Sequence, residues 1–133
     1  MRILFLTLIS MFVFGGAVSV QAQRNQTIKV QVNKQKSVAS SGLTIKFVSL
    51  VEDSRCPTDA NCVWAGNAKI QVQIGNRRGK SEIFELNTNM GAKGASFGGY
   101  AVNLISLTPA PRSNIRINRN GYVATFSVNR LTR

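Results

Sequence analysis

The chain has 133 residues, with 17 Lys and Arg against 5 Asp and Glu, no His and two Cys, for a formal net charge of +12. With no imidazole in the chain, any mechanism that needs a histidine base or a histidine metal ligand is excluded. A hydrophobic fraction of 44% beside 17% charged residues belongs to a chain that can bury a core, so a folded domain is expected rather than disorder.

Arg2 precedes an apolar run from Ile3 to Phe14, broken by Thr7 and Ser10, followed by Gly15, Gly16 and small residues up to Ala22. A basic start, a short apolar stretch and a small residue at the end form the three-part pattern of a signal peptide, predicted over residues 1–22 with cleavage after Ala22. The run is shorter than the about 18 residues that mark a membrane span. No transmembrane segment is therefore expected after cleavage, and residues 23–133 are expected to form one secreted or periplasmic domain.

Beyond Ala22, apolar residues recur at every second position, the spacing of strands with one buried face. In chain order the candidates are Thr27 to Val32, then Leu43, Ile45 and Phe47 opening a strand that extends to Glu52. Next come Ala68, Ile70, Val72 and Ile74, the cleanest alternation, followed by Glu82 to Leu86, Tyr100 to Leu107, and Tyr122, Ala124, Phe126 and Val128. Turn chemistry falls between them at Ser41-Gly42, Gly75 to Gly79, the Gly-rich stretch Asn89 to Gly99, Pro109-Ala110-Pro111 and Asn120-Gly121. Ile115 to Ile117 is a further short candidate. No segment carries a sustained helical period, so an all-β antiparallel sandwich or small barrel is predicted. Alternating strand directions would place the loop holding Cys56 and Cys62 beside the Gly-rich stretch at one end. Arg77, Arg78, Lys80 and Arg112 would then share the other.

Cys56 and Cys62 enclose five residues, and in an exported chain two cysteines most simply form one disulfide. Closing so short a loop stabilises by about 2 kcal/mol on the chain-entropy model, so local rigidity is its main expected effect. Zinc would need two more Cys or His ligands, which the chain lacks. The surrounding segment, Glu52 to Gly66, holds three of the five acids. One reading is structural, with the disulfide packed on Trp64, Gly66 opening the next strand, and Arg55 paired with Asp53 or Glu52. The other is a displayed, preorganised partner loop with Asp53, Arg55, Asp59 and Trp64 as its candidate contacts.

The runs Asp53-Ser54-Arg55-Cys56-Pro57 and Cys62-Val63-Trp64-Ala65-Gly66 resemble a signature found in a group of small exported bacterial proteins and lipoproteins. Gly99 to Leu104 and Leu107-Thr108-Pro109 are similar to that group as well. The chain departs from the lipoprotein members in having no Cys at the expected mature N-terminus. The resemblance implies no activity, cofactor or catalytic residue.

A Ser-His-Asp or Cys-His arrangement is impossible here. Gly91 to Ser96 lacks the Gly-Lys-Ser/Thr order of a phosphate loop, and the acids do not follow a calcium-loop spacing. A catalytic carboxylate pair would have to come from Glu52, Asp53, Asp59, Glu82 and Glu85, and all five lie between positions 52 and 85, so the rest of the chain carries only positive charge. Sequence-specific reading of nucleic acid is not expected, because Phe47, Phe84 and Phe126 sit in strand patterns as core candidates.

The expected role is thus a non-enzymatic, envelope-associated binding module without cofactor or metal. It would contact an anionic envelope polymer through Arg77, Arg78, Lys80 and Arg112, or alternatively a protein through the Cys56 to Cys62 loop; an enzyme of unknown class is the third reading. The first expectation to check is export: the intact mass of the exported protein should match a chain beginning at Gln23, and a product retaining residues 1–22 would refute the signal peptide.

Overall fold

The computed structural model describes residues 15–19 and 25–132. The predicted signal segment therefore lies mostly outside the described residues, as does the cleavage point after Ala22. Eight strands form: β1 (Gln26–Gln31), β2 (Gln35–Val38), β3 (Leu43–Asp53), β4 (Ala68–Gly75), β5 (Ser81–Asn87), β6 (Gly94–Phe97), β7 (Tyr100–Thr108) and β8 (Val123–Arg130). They make two four-stranded antiparallel sheets, β1-β8-β7-β6 and β2-β3-β4-β5, stacked as a β-sandwich.

The pleat explains the stacking. In β4, Ala68, Ile70, Val72 and Ile74 are buried, while Lys69, Gln71 and Gln73 between them are not. Opposite them Val30, Val102, Leu104, Leu107, Ala124, Phe126 and Val128 supply the other half of the core. Phe47 and Phe126 are fully buried, whereas Phe84, on edge strand β5, is only half-buried. Among the described residues no helix is long and apolar enough to cross a membrane.

The structure departs from the sequence reading in three places. β2 carries a single apolar residue, Val38, and so shows no alternation. β6 lies inside the Gly-rich stretch, where an added Cβ at Gly94 would sit 2.0 Å from Asn103 Oδ1, so the position that looks like a turn is a glycine needed for close contact with β7. Ile115 makes an isolated bridge to Arg112 instead of opening a strand.

The extra strand reverses everything after it. β5 runs towards the disulfide end, β6 runs back, and the β6–β7 turn brings Gly98 to the same cleft as Arg77 and Arg78. β7 then returns, so Pro109 to Arg112 lie at the disulfide end, where the Thr58 N–H donates to the Pro111 carbonyl at 3.0 Å. Arg112 is therefore separated from Arg77, Arg78 and Lys80 by the length of the sandwich, and the Gly-rich stretch is divided between the two ends.

Packing of this kind makes the core intolerant of truncation. Phe126→Ala should lower unfolding free energy by about 3–5 kcal/mol in denaturant titration, and Ile83→Ala, at an exposed edge position, by less than about 1 kcal/mol.

Candidate functional site

β3 ends at Asp53, whose carboxylate turns inward with a side chain only 11% exposed. A carboxylate in that position needs partners, and the chain supplies three groups. Arg55, two residues on, reaches back with Nε to Oδ1 at 2.8 Å and Nη2 to Oδ2 at 2.8 Å, a bidentate pair. The Tyr122 hydroxyl donates to Oδ2 at 2.9 Å from the entrance to β8. The rest of the guanidinium donates to the carbonyls of Leu107 at 2.6 Å and Pro109 at 3.0 Å. One carboxylate thus ties the disulfide loop to β7 and β8 of the other sheet. Burial pushes the Asp53 carboxyl up; hydrogen bonds from Arg55 and Tyr122, with the Arg55 charge, outweigh it and hold the group below its ordinary 3.8. Burial and the hydrogen bond to Asp53 push the Tyr122 hydroxyl up.

The loop itself is closed by the Cys56–Cys62 disulfide, with Cα atoms 5.9 Å apart, in the ordinary range. Its two limbs are laced by backbone bonds from Cys56 N–H to the Ala65 carbonyl at 3.0 Å and from Ser54 N–H to the Asn67 carbonyl at 2.7 Å. Gly66 makes that lacing possible: its φ is +70°, and a Cβ there would fall 1.9 Å from the Ser54 carbonyl oxygen. Gly66 does not open the next strand, which begins at Ala68.

Asn67 fastens the loop to the neighbouring β5–β6 connection. Buried, it donates through Nδ2 to Asn87 Oδ1 at 2.8 Å, and its Oδ1 accepts from the Asn89 and Met90 N–H groups, each at 3.0 Å. Asp59 ties the loop's far side to the 109–122 connection, accepting from the Ser113 N–H at 2.9 Å and hydroxyl at 3.0 Å. Those bonds, from the backbone first, hold its carboxyl below the usual range.

Against this braced frame, Val63 and Trp64 stand out, 94% and 81% exposed. The disulfide does not pack on Trp64, contrary to the structural reading of the sequence. Met90, held by Asn67, is exposed at the same end. Of the four residues expected to contact a partner, Asp53 and Arg55 pair with each other, Asp59 is exposed but accepts from Ser113, and Trp64 is exposed. Arg112, Arg116 and Arg119 are also exposed, on the 109–122 connection.

At the opposite end Arg77, Arg78 and Lys80 stay together on the β4–β5 turn, where Asn76 Oδ1 accepts from the Arg78 and Lys80 N–H groups at 3.0 and 3.1 Å. Among the described residues the ion pairs are Arg55–Asp53 and Lys69–Glu52, so none of the three is neutralised. Nor do three His, Cys, Asp or Glu side chains cluster to hold a metal ion among the described residues.

Protein-family models, curated proteins and solved structures provide no match to the chain. The site must therefore be read from its geometry alone. Sequence reasoning missed Tyr122, Asn67 and Asn87. In the sequence Tyr122 reads only as a core position of its strand, and a buried asparagine leaves no periodic signal, although Asn67 directly follows the close approach at Gly66.

The bracing has a measurable pH signature. Because the folded-state pKa of Asp53 is depressed, its contribution is fully present above the ordinary carboxylate value of 3.8 and is lost as pH falls through the folded value. Asp53→Asn should thus destabilise by about 3 kcal/mol at pH 7. That difference should shrink as urea titrations are repeated below pH 4; a pH-independent difference would remove the charge from the explanation.

Proposed function

We propose that this protein is an exported, non-enzymatic recognition module that presents the Cys56–Cys62 loop to another protein, with Trp64 as the anchoring contact and Val63 beside it. The observation that carries this reading is the contrast within one loop. Asp53 and Arg55 are held in a pair and Asp59 accepts from Ser113, while the two apolar residues after Cys62 are left in water at 94% and 81% exposure. Leaving a tryptophan and a valine side by side in solvent forgoes roughly 3 kcal/mol of burial, which the fold could have recovered by turning them inward. Tryptophan is also the residue type most enriched among binding hot spots. A loop held by a disulfide, a half-buried ion pair and a buried asparagine loses little conformational freedom on binding, so the anchor's contact energy is retained as affinity. The disulfide is compatible with a position outside the cytoplasm.

A second reading, contact with an anionic envelope polymer, is supported by the unneutralised Arg77, Arg78 and Lys80 on one turn. It no longer includes Arg112, which lies at the other end.

The test is capture from envelope extract by the immobilised, oxidised domain. A protein retained by the parent should be lost with Trp64→Ala, weakened at least tenfold with Cys56→Ala, which frees the loop's ends, and retained by Arg77→Ser/Arg78→Ser. Thermal unfolding of Trp64→Ala should stay within a few degrees of the parent, since the side chain is exposed. Unchanged capture by Trp64→Ala would refute the loop as the recognition surface.

A further inference from the structure

At the end remote from the disulfide, three turns from both sheets enclose a cleft of about 540 Å³: residues 39–42 between β2 and β3, residues 76–78 between β4 and β5, and Gly98 between β6 and β7. Its lining includes Ser40, Ser41, Gly42, Asn76, Arg77 and Arg78, and it contains no carboxylate. We propose that this cleft binds a sugar unit bearing an oxyanion, with the Arg77 and Arg78 guanidinium groups taking the charged group and the Ser40, Ser41 and Asn76 edge facing the sugar hydroxyls. The inference rests on the second reading above and gives it a defined site.

Size is the first argument. The volume is in the range of small-ligand sites and far exceeds what one inorganic anion fills. Charge is the second: among the described residues neither arginine has a carboxylate partner, and a guanidinium fork matches the paired oxygens of sulfate, phosphate or carboxylate. The third is that the cleft is built rather than incidental. The 39–42 turn is anchored to the start of β1, where the Ser40 hydroxyl bonds Gln26 Oε1, and it is closed by the Gly42 N–H donating to the Val38 carbonyl at 3.0 Å. Gly42, at φ +69°, has no side chain, and a Cβ there would sit 3.2 Å from Arg77 Nε and 3.6 Å from Cζ, so one edge of the guanidinium rests against the turn.

The lining also discriminates among anions. It offers hydroxyl, amide and backbone groups but no aromatic ring, which suits a polyhydroxylated ligand and not a nucleobase that needs stacking. Beside it, sharing Asn76, a second depression of about 210 Å³ is lined by Lys46 and Lys80, so a longer anionic chain leaving the cleft would continue over basic groups. Because the cleft and Trp64 lie at opposite ends, a polymer and a protein could be held together by one copy of the domain.

The test is calorimetric titration of the oxidised domain at low salt with three probes: a heparin-derived tetrasaccharide, neutral isomaltotetraose, and tripolyphosphate. The tetrasaccharide should bind once per chain, weaken as salt is added, and lose at least tenfold in affinity in Arg77→Ser/Arg78→Ser. The charge-matched Arg116→Ser/Arg119→Ser, at the other end, should bind like the parent. Isomaltotetraose should not bind, and tripolyphosphate should bind at least tenfold more weakly than the tetrasaccharide. Equal weakening in both double variants would overturn the cleft and leave diffuse polyanion attraction standing. Tripolyphosphate binding as tightly as the tetrasaccharide would overturn the sugar requirement. No binding of any probe to the parent would overturn the cleft and the polymer reading together.

Discussion

A carboxylate at the inner end of a strand cannot be left alone, and Asp53 stands in that position where β3 leaves the sandwich. Satisfying it draws in Arg55 from the disulfide loop and Tyr122 from the entrance to β8, and the arginine's remaining donors must then be met by the carbonyls of Leu107 and Pro109 at the end of β7. Charge burial and its compensation therefore decide where the loop sits on the sandwich. The disulfide alone closes a ring of seven residues and would leave that ring free to swing. The Asp53 network and Asn67 take away that freedom, one from each side.

The stretches Asp53 to Pro57 and Cys62 to Gly66 divide into residues with a structural reason and the exposed Val63 and Trp64. Asp53 and Arg55 form a half-buried pair, Ser54 bonds the Asn67 carbonyl through both N–H and hydroxyl, Cys56 and Cys62 close the ring, and Gly66 permits an approach that no side chain would allow. Trp64 is 81% exposed and carries none of these bonds. A large apolar side chain that the fold does not use is the feature that most directly suggests an external one.

Strand direction separates the protein's two chemical characters. With β6 inserted between β5 and β7, one end collects the disulfide loop, the 109–122 connection and the exposed tryptophan, and the other collects three tight turns and the exposed Arg77, Arg78 and Lys80. The net charge of +12 is thus not a uniform coat. Asp53 and Asp59 brace the disulfide end, whereas Glu82 and Glu85 stand exposed along β5, Glu82 two residues beyond Lys80.

Local alternation determined a large part of this protein. Apolar residues at every second position marked β1, β3, β4, β5, β7 and β8 and hence the all-β sandwich, because a strand exposes its period directly in the order of residues. The spacing of Cys56 and Cys62 likewise marked the disulfide. What alternation could not show were β2, with its single apolar residue, and β6, whose glycine serves a close contact with β7 instead of a turn; missing that one strand inverted the assignment of Arg112. Nor could residue order distinguish an acid that braces from one that recognises. Asp53, Arg55, Asp59 and Trp64 are equally prominent in the sequence, yet their roles depend on Tyr122, Leu107 and Ser113, which lie more than 50 positions away from the residues they touch. Contacts at that separation exist only once the sheets have packed, so tertiary structure alone decided that Asp53 and Arg55 are held between the sheets' ends while Trp64 stands exposed.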